Sequence, residues 1–271
     1  MSGARRRFAI LVTMVSWFAL EHARAAELAL EAGAENFRWR EFNAGSQLIE
    51  ESGPRVRLGV QWRQVLEGDP RASFEFRGAG YFGQIDYDGL ACTLAGSCTP
   101  FQTNARYTGL TAEGLMLRSS SANSGGMIFG GAGLDGWRRN IRGDANVSGA
   151  VEDWVAAYLL AGVGARWFGD SWRRDARVGV KYPFYVVEFP DAADVRLEPK
   201  GQISYFARFT LDSIRAGRPQ WGVGVYYDSY RFAASDKERF ESGTAPPQTI
   251  VIFQPESRQD VIGAYVLIYL R

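Results

Sequence analysis

From about residue 35 onward, apolar and polar side chains alternate with a period of two, segment after segment, the mark of half-buried β-strands. The clearest segment is 55–66, where Val56, Leu58, Val60 and Trp62 share one face and Arg55, Arg57, Gln61 and Arg63 the other. The alternation predicts ten strands, with the first six at about 35–42, 55–66, 72–87, 105–118, 126–136 and 150–168. Two of these show the two faces plainly. Phe37 and Trp39 oppose Arg38 and Arg40, and Phe74, Phe76 and Phe82 oppose Glu75, Arg77 and Tyr81. In the seventh, Val178, Val180, Tyr182, Phe184 and Val186 oppose Arg177, Lys181 and Tyr185. The eighth carries Tyr205, Ala207, Phe209 and Leu211, and the ninth Trp221, Val223, Val225 and Tyr227.

The tenth strand, from Gln259 to Arg271, is apolar on both faces near the end of the chain. An exposed edge of that kind would template aggregation. Pairing the last strand with the first removes the edge and closes a barrel. In lipid such closure is obligatory, because nothing else satisfies the backbone of a sheet.

The connections sort by end. Those at 43–54, 88–104, 137–149, 188–200 and 233–257 are long, and those at 67–71, 119–125, 169–175 and 213–219 are short. A bacterial outer-membrane barrel has this layout: short periplasmic turns, long extracellular loops, an even strand count and both ends in the periplasm. Aromatic residues recur toward the strand ends (Trp39, Trp62, Tyr87, Trp154, Trp167, Tyr182, Trp221, Tyr227 and Tyr269), as interfacial girdles require. No apolar run after residue 25 is long enough to cross a bilayer as a helix. The predicted fold class is therefore all-β: a ten-stranded antiparallel up-and-down transmembrane β-barrel over 26–271, located in the bacterial outer membrane.

The first 25 residues read differently. Arg5, Arg6 and Arg7 precede an apolar run from Phe8 to Leu20 and a small-x-small site at Ala23-Arg24-Ala25, the layout of a cleaved signal peptide over 1–25. Its removal takes the basic count from 31 to 27 and the acidic count from 30 to 29, a net charge of −2, so no nucleic-acid partner is expected. It also removes His22, the single histidine. Cys92 and Cys98 are close in sequence in an exported chain, which predicts a disulfide closing a small loop; two cysteines without histidine make a poor metal site.

If the apolar rows face lipid, the opposite rows face the lumen. They carry Arg57, Glu75, Arg77, Glu113, Arg166, Lys181, Arg208 and Asp228, which are expected to pair as a charge ladder, since burying them unpaired is costly. Tyr81, Tyr158 and Tyr226 share those rows. Ten strands lie nearer the filled barrels of eight than the water-filled ones of sixteen. Gly130-Gly131-Ala132-Gly133 has no helix after it, so it predicts close strand packing and not a phosphate loop, and no cofactor is expected. Nearly all cations are arginine, and Arg138, Arg139, Arg142, Arg196, Arg239 and Arg258 fall at loops where they can meet lipopolysaccharide phosphates. Genome base composition explains that bias as easily.

Asp86 and Asp88 near the outer end of the third strand resemble an acidic pair at the rim of the ten-stranded omptin proteases. Omptins complete the site with an Asp-His pair, and no histidine follows residue 25 here. Asp86-Tyr87-Asp88-Gly89 therefore reads as a strand exit and turn. The run Gly83 to Gly89, the segment Glu152-Asp153-Trp154, Leu197 to Gly201 and Gln254 to Ser257 resemble a group of uncharacterised Gram-negative outer-membrane β-barrel proteins. That resemblance implies fold and location and carries no catalytic residue. Such barrels usually end on an aromatic that helps recruit the insertion machinery, whereas Tyr269 here is followed by Leu270 and Arg271.

The functional expectation is a non-enzymatic barrel with a structural or surface-interaction role. Its partners are outer-membrane lipid, lipopolysaccharide and, during assembly, the insertion machinery. A narrow channel for small solutes or anions is the first alternative. An enzyme acting on lipopolysaccharide or peptide is the second.

Overall fold

The last strand does pair with the first. A computed structural model describes residues 26–92, 98–122, 124–145, 147–191, 195–241 and 249–270. The signal-peptide reading falls on 1–25, outside the described residues. Ten long antiparallel strands form the wall: β1 (Ala26–Asn43), β2 (Ser46–Leu66), β3 (Asp69–Cys92), β4 (Cys98–Ser119), β5 (Gly125–Ile141), β6 (Ala150–Phe168), β7 (Trp172–Pro190), β9 (Ser204–Arg215), β10 (Arg218–Ala233) and β13 (Glu256–Leu270). Each pairs with the next, and β13 pairs with both β10 and β1, from Leu28 opposite Leu270 to Phe42 opposite Glu256. The ring is thus closed. Short β8 (Lys200–Gly201) docks on β10, and β11 (Glu238–Glu241) and β12 (Thr249–Ile252) form a separate hairpin.

Most strands are longer than the alternation predicted, chiefly at the end away from the chain termini. The reading of 43–54 as a polar connection is corrected: β1 and β2 meet at Ala44-Gly45, both at positive φ (49° and 83°), as a two-residue primed turn requires. Likewise β3 continues to Cys92 without turning at Asp86–Gly89, and β5 reaches Ile141. These added stretches lie beyond the lipid, so their outward faces are polar and resemble loop sequence.

Outward-facing residues divide the wall into two tiers. In the lower tier they are apolar: Leu28, Leu30, Val56, Leu58, Phe82, Leu110, Ile128, Leu159, Val178, Phe209, Val225 and Ile262 are all exposed. Roughly four or five such positions per strand, at about 3.3 Å per residue and a tilt near 40°, make a band of about 20–25 Å, the height of a lipid-facing belt. Trp62, Trp167, Trp172 and Trp221 edge it near the termini, and Tyr182, Tyr205 and Tyr227 lie toward its other edge.

Above the belt the polarity inverts. Phe37 and Trp39 were expected on the lipid side but are fully buried inside, and Arg38 faces outward with Glu50. Tyr87, Trp154 and Tyr269, expected in a girdle, also point inward. The physical cause is the outside medium: where water replaces lipid, the alternation puts charge outside and aromatics inside. One further correction concerns β7. A bulge opposite Ala157/Tyr158, beside Pro183, turns Phe184 and Tyr185 both outward and moves Val186 into the core.

Glycine and tyrosine fit the wall to its contents. Tyr81, Tyr158, Tyr226 and Tyr265 each lie across the glycine directly opposite in the ladder, namely Gly109, Gly133, Gly263 and Gly224. A Cβ at those glycines would come within 2.2–2.4 Å of the ring. In the glycine-rich β5, a Cβ on Gly131 would sit 2.0 Å from the Gly114 carbonyl oxygen. That close approach is why the run is glycine.

Candidate functional site: the filled lumen

Arg57, Glu75, Arg77, Glu113, Arg166, Lys181, Arg208 and Asp228 all project into the lumen. They do not form a single ladder; they divide into local clusters, with many partners that the alternation did not single out. Lowest is a knot around Glu75. Arg177 donates to both of its oxygens at 2.6 and 2.8 Å, while Arg77 and Arg166 approach at 3.1 and 3.4 Å. Arg166 and Arg177 share Asp175, and Arg173 is held by Glu27 at 2.7 Å and Asp212 at 2.9 Å.

Midway up, Arg57 donates to Glu31 at 2.7 Å and Arg55 to Glu35 at 2.6 Å. Tyr226 also donates to Glu35, Tyr81 donates to Asp135 at 2.8 Å, and Tyr158 donates to Glu113 at 3.0 Å. Lys181, 2% exposed, pairs with Asp228 and sits 3.6 Å from the centre of the Tyr230 ring. Arg208 stands over the ring of Tyr226 at 5.8 Å.

An aromatic tier caps these charges. Trp137 and Trp154 stack at 5.2 Å, Trp39 meets Trp154 edge-on at 5.3 Å, and Tyr230 stacks on Phe232 at 5.5 Å. Threaded through this tier is Arg139, read from sequence as a loop cation facing lipopolysaccharide. It is instead 2% exposed and bound by Glu41, Glu51 and Glu152. Trp39 and Tyr107 donate to Glu41 and Glu51 respectively. Glu188 joins the group opposite Trp154, with one carboxylate oxygen buried and unpartnered. It lies above the belt, and burial, reinforced by Glu152 and Glu41, raises its carboxyl well above the usual range.

The other arginines read as loop residues spread over the outer tier. Arg138 pairs with Asp153, Arg196 with Glu198 and Arg258 with Glu256, all partly exposed. Asp86 and Asp88 lie on the outside of β3, with only Tyr87 between them turned inward. The acidic pair therefore does not reach the lumen. Cys92 and Cys98 stand opposite each other in the β3–β4 ladder. Among the described residues no group of three or more His, Cys, Asp or Glu is placed to hold a metal ion.

What remains open in the lumen is small. Three cavities of about 40, 10 and 30 Å³ lie along it, each touched by Arg77. One water needs about 10–15 Å³ by this measure, so each holds a few waters at most.

Closure without an edge, an apolar belt and a charged interior together leave one setting for this fold. The chain is an outer-membrane β-barrel. Comparison with known proteins agrees at the level of fold. No protein-family model and no curated protein matches the sequence. Among solved structures, the barrel is similar to the outer membrane protease OmpT of Escherichia coli, with TM-score 0.50, 11% identity and coverage of 90% of this chain and 96% of that one. The transport unit of the autotransporter AIDA-I from Escherichia coli (TM-score 0.45, 9% identity, 97% of each chain) is a more distant likeness. So is a major outer membrane protein of Thermus thermophilus (TM-score 0.37, 13% identity, 91% of this chain and 100% of that one).

Proposed function

We propose that this barrel is a closed, non-enzymatic scaffold that anchors a folded outer tier at the bacterial surface for structural or surface-interaction purposes. The observation that carries the reading is the filling of the lumen by two stacked plugs, one ionic and one aromatic. Discrete conduction requires a continuous water path, and the aromatic tier interrupts it. Refolded protein in a planar bilayer should then show no stepwise openings; reproducible unitary currents would overturn the reading.

The channel alternative draws support from the string of small cavities below the aromatic tier. In that reading, replacing Trp39 or Trp154 by Ala produces or enlarges a current. A lipid- or peptide-directed enzyme would have to work with carboxylates alone, because no histidine follows residue 25. Mass analysis of lipid A from cells with and without the protein tests its lipid branch.

Lipopolysaccharide is the proposed neighbour of the outward arginines Arg38, Arg138 and Arg258, and the insertion machinery the proposed partner of β13 during assembly. A Cys92–Cys98 disulfide, supported by their register, would staple the tip of the β3–β4 ribbon. Alkylation with and without reductant reads it as a mass difference.

A further inference from the structure

The lumen is not evenly compensated at its lower end. The 40 Å³ cavity there is lined by five arginines against four carboxylates, one positive charge in excess. Arg173, Arg166 and Arg177 have their partners, but Glu75 has only two oxygens and both are taken by Arg177. Arg63 is left with Glu75 at 3.6 Å, beyond hydrogen-bond range. The Nε atoms of Arg63 and of Arg77 are buried with no acceptor at all.

A buried guanidinium is tolerated when counter-charge and acceptors surround it; Arg63 and Arg77 share the charge of Glu75, which Arg177 already engages at both oxygens, and their Nε donors have no acceptor. What these two Nε donors lack is an acceptor, and the one positive charge in excess favours an anionic one. Its volume admits about three water centres, the room that the oxygens of one small oxyanion need. The planar fork of arginine matches such a group, with two donors to two oxygens.

The cavity is also reachable. It lies at the end of the barrel carrying Glu27 and Tyr269, where β1 begins and β13 ends, and the Arg63 and Glu27 side chains are 17% and 28% exposed. In an outer-membrane barrel that end faces the periplasm.

We propose that the periplasmic mouth of the lumen is a binding site for a small oxyanion of the phosphate or carboxylate class, gripped by Arg63 and Arg77. The anion neutralises the surplus cation and completes the knot around Glu75. The site lies in the foot of the ionic plug, below the aromatic tier, so the inference stands or falls independently of whether the barrel conducts.

The test uses full-length barrel refolded in a non-ionic detergent. At constant ionic strength it is titrated by calorimetry with inorganic phosphate, acetate and chloride in separate arms, and thermal unfolding is followed in the same samples. Saturable heat and a rising unfolding temperature are expected with phosphate, with acetate or with both, and which arm responds names the ligand class. Arg63→Gln should weaken binding at least tenfold, and Lys200→Gln, at an exposed pair with Asp236 away from the cavity, should leave it unchanged. Should Arg63→Gln fail to refold, Arg63→Lys keeps the charge but loses the fork and should still bind several-fold more weakly. Equal responses to all three anions, undiminished binding in the Arg63 variants, or no saturable response overturns the proposal.

Discussion

The belt and the outer tier are continuous along the same strands and share the same period of two, yet they are inside-out versions of each other. At Val56, Leu58 and Val60 the apolar row looks out, and Arg55 and Arg57 look in. On β1, about one turn of the pleat above the belt, Arg38 looks out, and Phe37 and Trp39 look in. The lower tier is held by charges buried within lipid surroundings, where water cannot compete, and the upper by aromatic packing as in a water-soluble protein. Alternation marks a strand, while only the medium outside decides which row is the core.

Breaking the lower tier should cost most. Glu75→Ala strips the shared partner from Arg177, Arg166 and Arg77, and leaving buried cations unpaired costs about 3–5 kcal/mol. Urea unfolding of the refolded barrel should show that loss across the whole transition, and a shift under about 1 kcal/mol would show that the knot is solvated. Trp154→Ala removes the ring between Trp39 and Trp137 and should cost about 3 kcal/mol. Here the effect should be confined to the outer tier, read as faster proteolysis of the outer loops with the belt still resistant to heat. Uniform loosening of both tiers would show that belt and outer tier are held together as one unit.

Smaller effects sharpen it. Gly133→Ala puts a Cβ 2.3 Å from the Tyr158 ring and should cost about 1–3 kcal/mol, recovered in part when Tyr158→Leu is added. If the double variant is no better than the single one, the contact is not the cause. Glu188→Gln should stabilise by about 1 kcal/mol in a pH-dependent way. The Glu188 carboxyl keeps its proton to higher pH when folded than when unfolded, so its penalty on folding is absent at low pH and grows as pH rises above the unfolded range near 4. The gain from Gln should accordingly be larger at pH 8 than at pH 4, by thermal unfolding at both; the opposite trend would mean that Glu188 is favourably paired as an anion.

Several features were legible in the residues alone because they depend on local chemistry. The period of two located all ten strands, and the inward rows of Arg57, Glu75 and Lys181 followed wherever lipid-facing neighbours were apolar. The start of β1 was missed: Leu28 and Leu30 face out while Glu31 and Glu35 face in, a pattern diluted by the alanines and glycine between them. Arg139 was misplaced because the chain around it, Trp137 to Arg142, has the composition of a loop. Its three carboxylate partners come from β1, β2 and β6, and no local pattern announces them.

Strand positions, the need for closure and the lipid setting were thus determined by the sequence, since neighbouring side chains must point to opposite faces and an apolar last strand cannot stand unpaired. Which row turns inward at each height, and which arginine meets which carboxylate, was decided only by the closed barrel. Register across the ring brings together groups as remote as Glu35 and Tyr226, 191 residues apart. Electrostatic complementarity acts on distance in space, and the order of residues along the chain carries no record of that distance until the ring is shut.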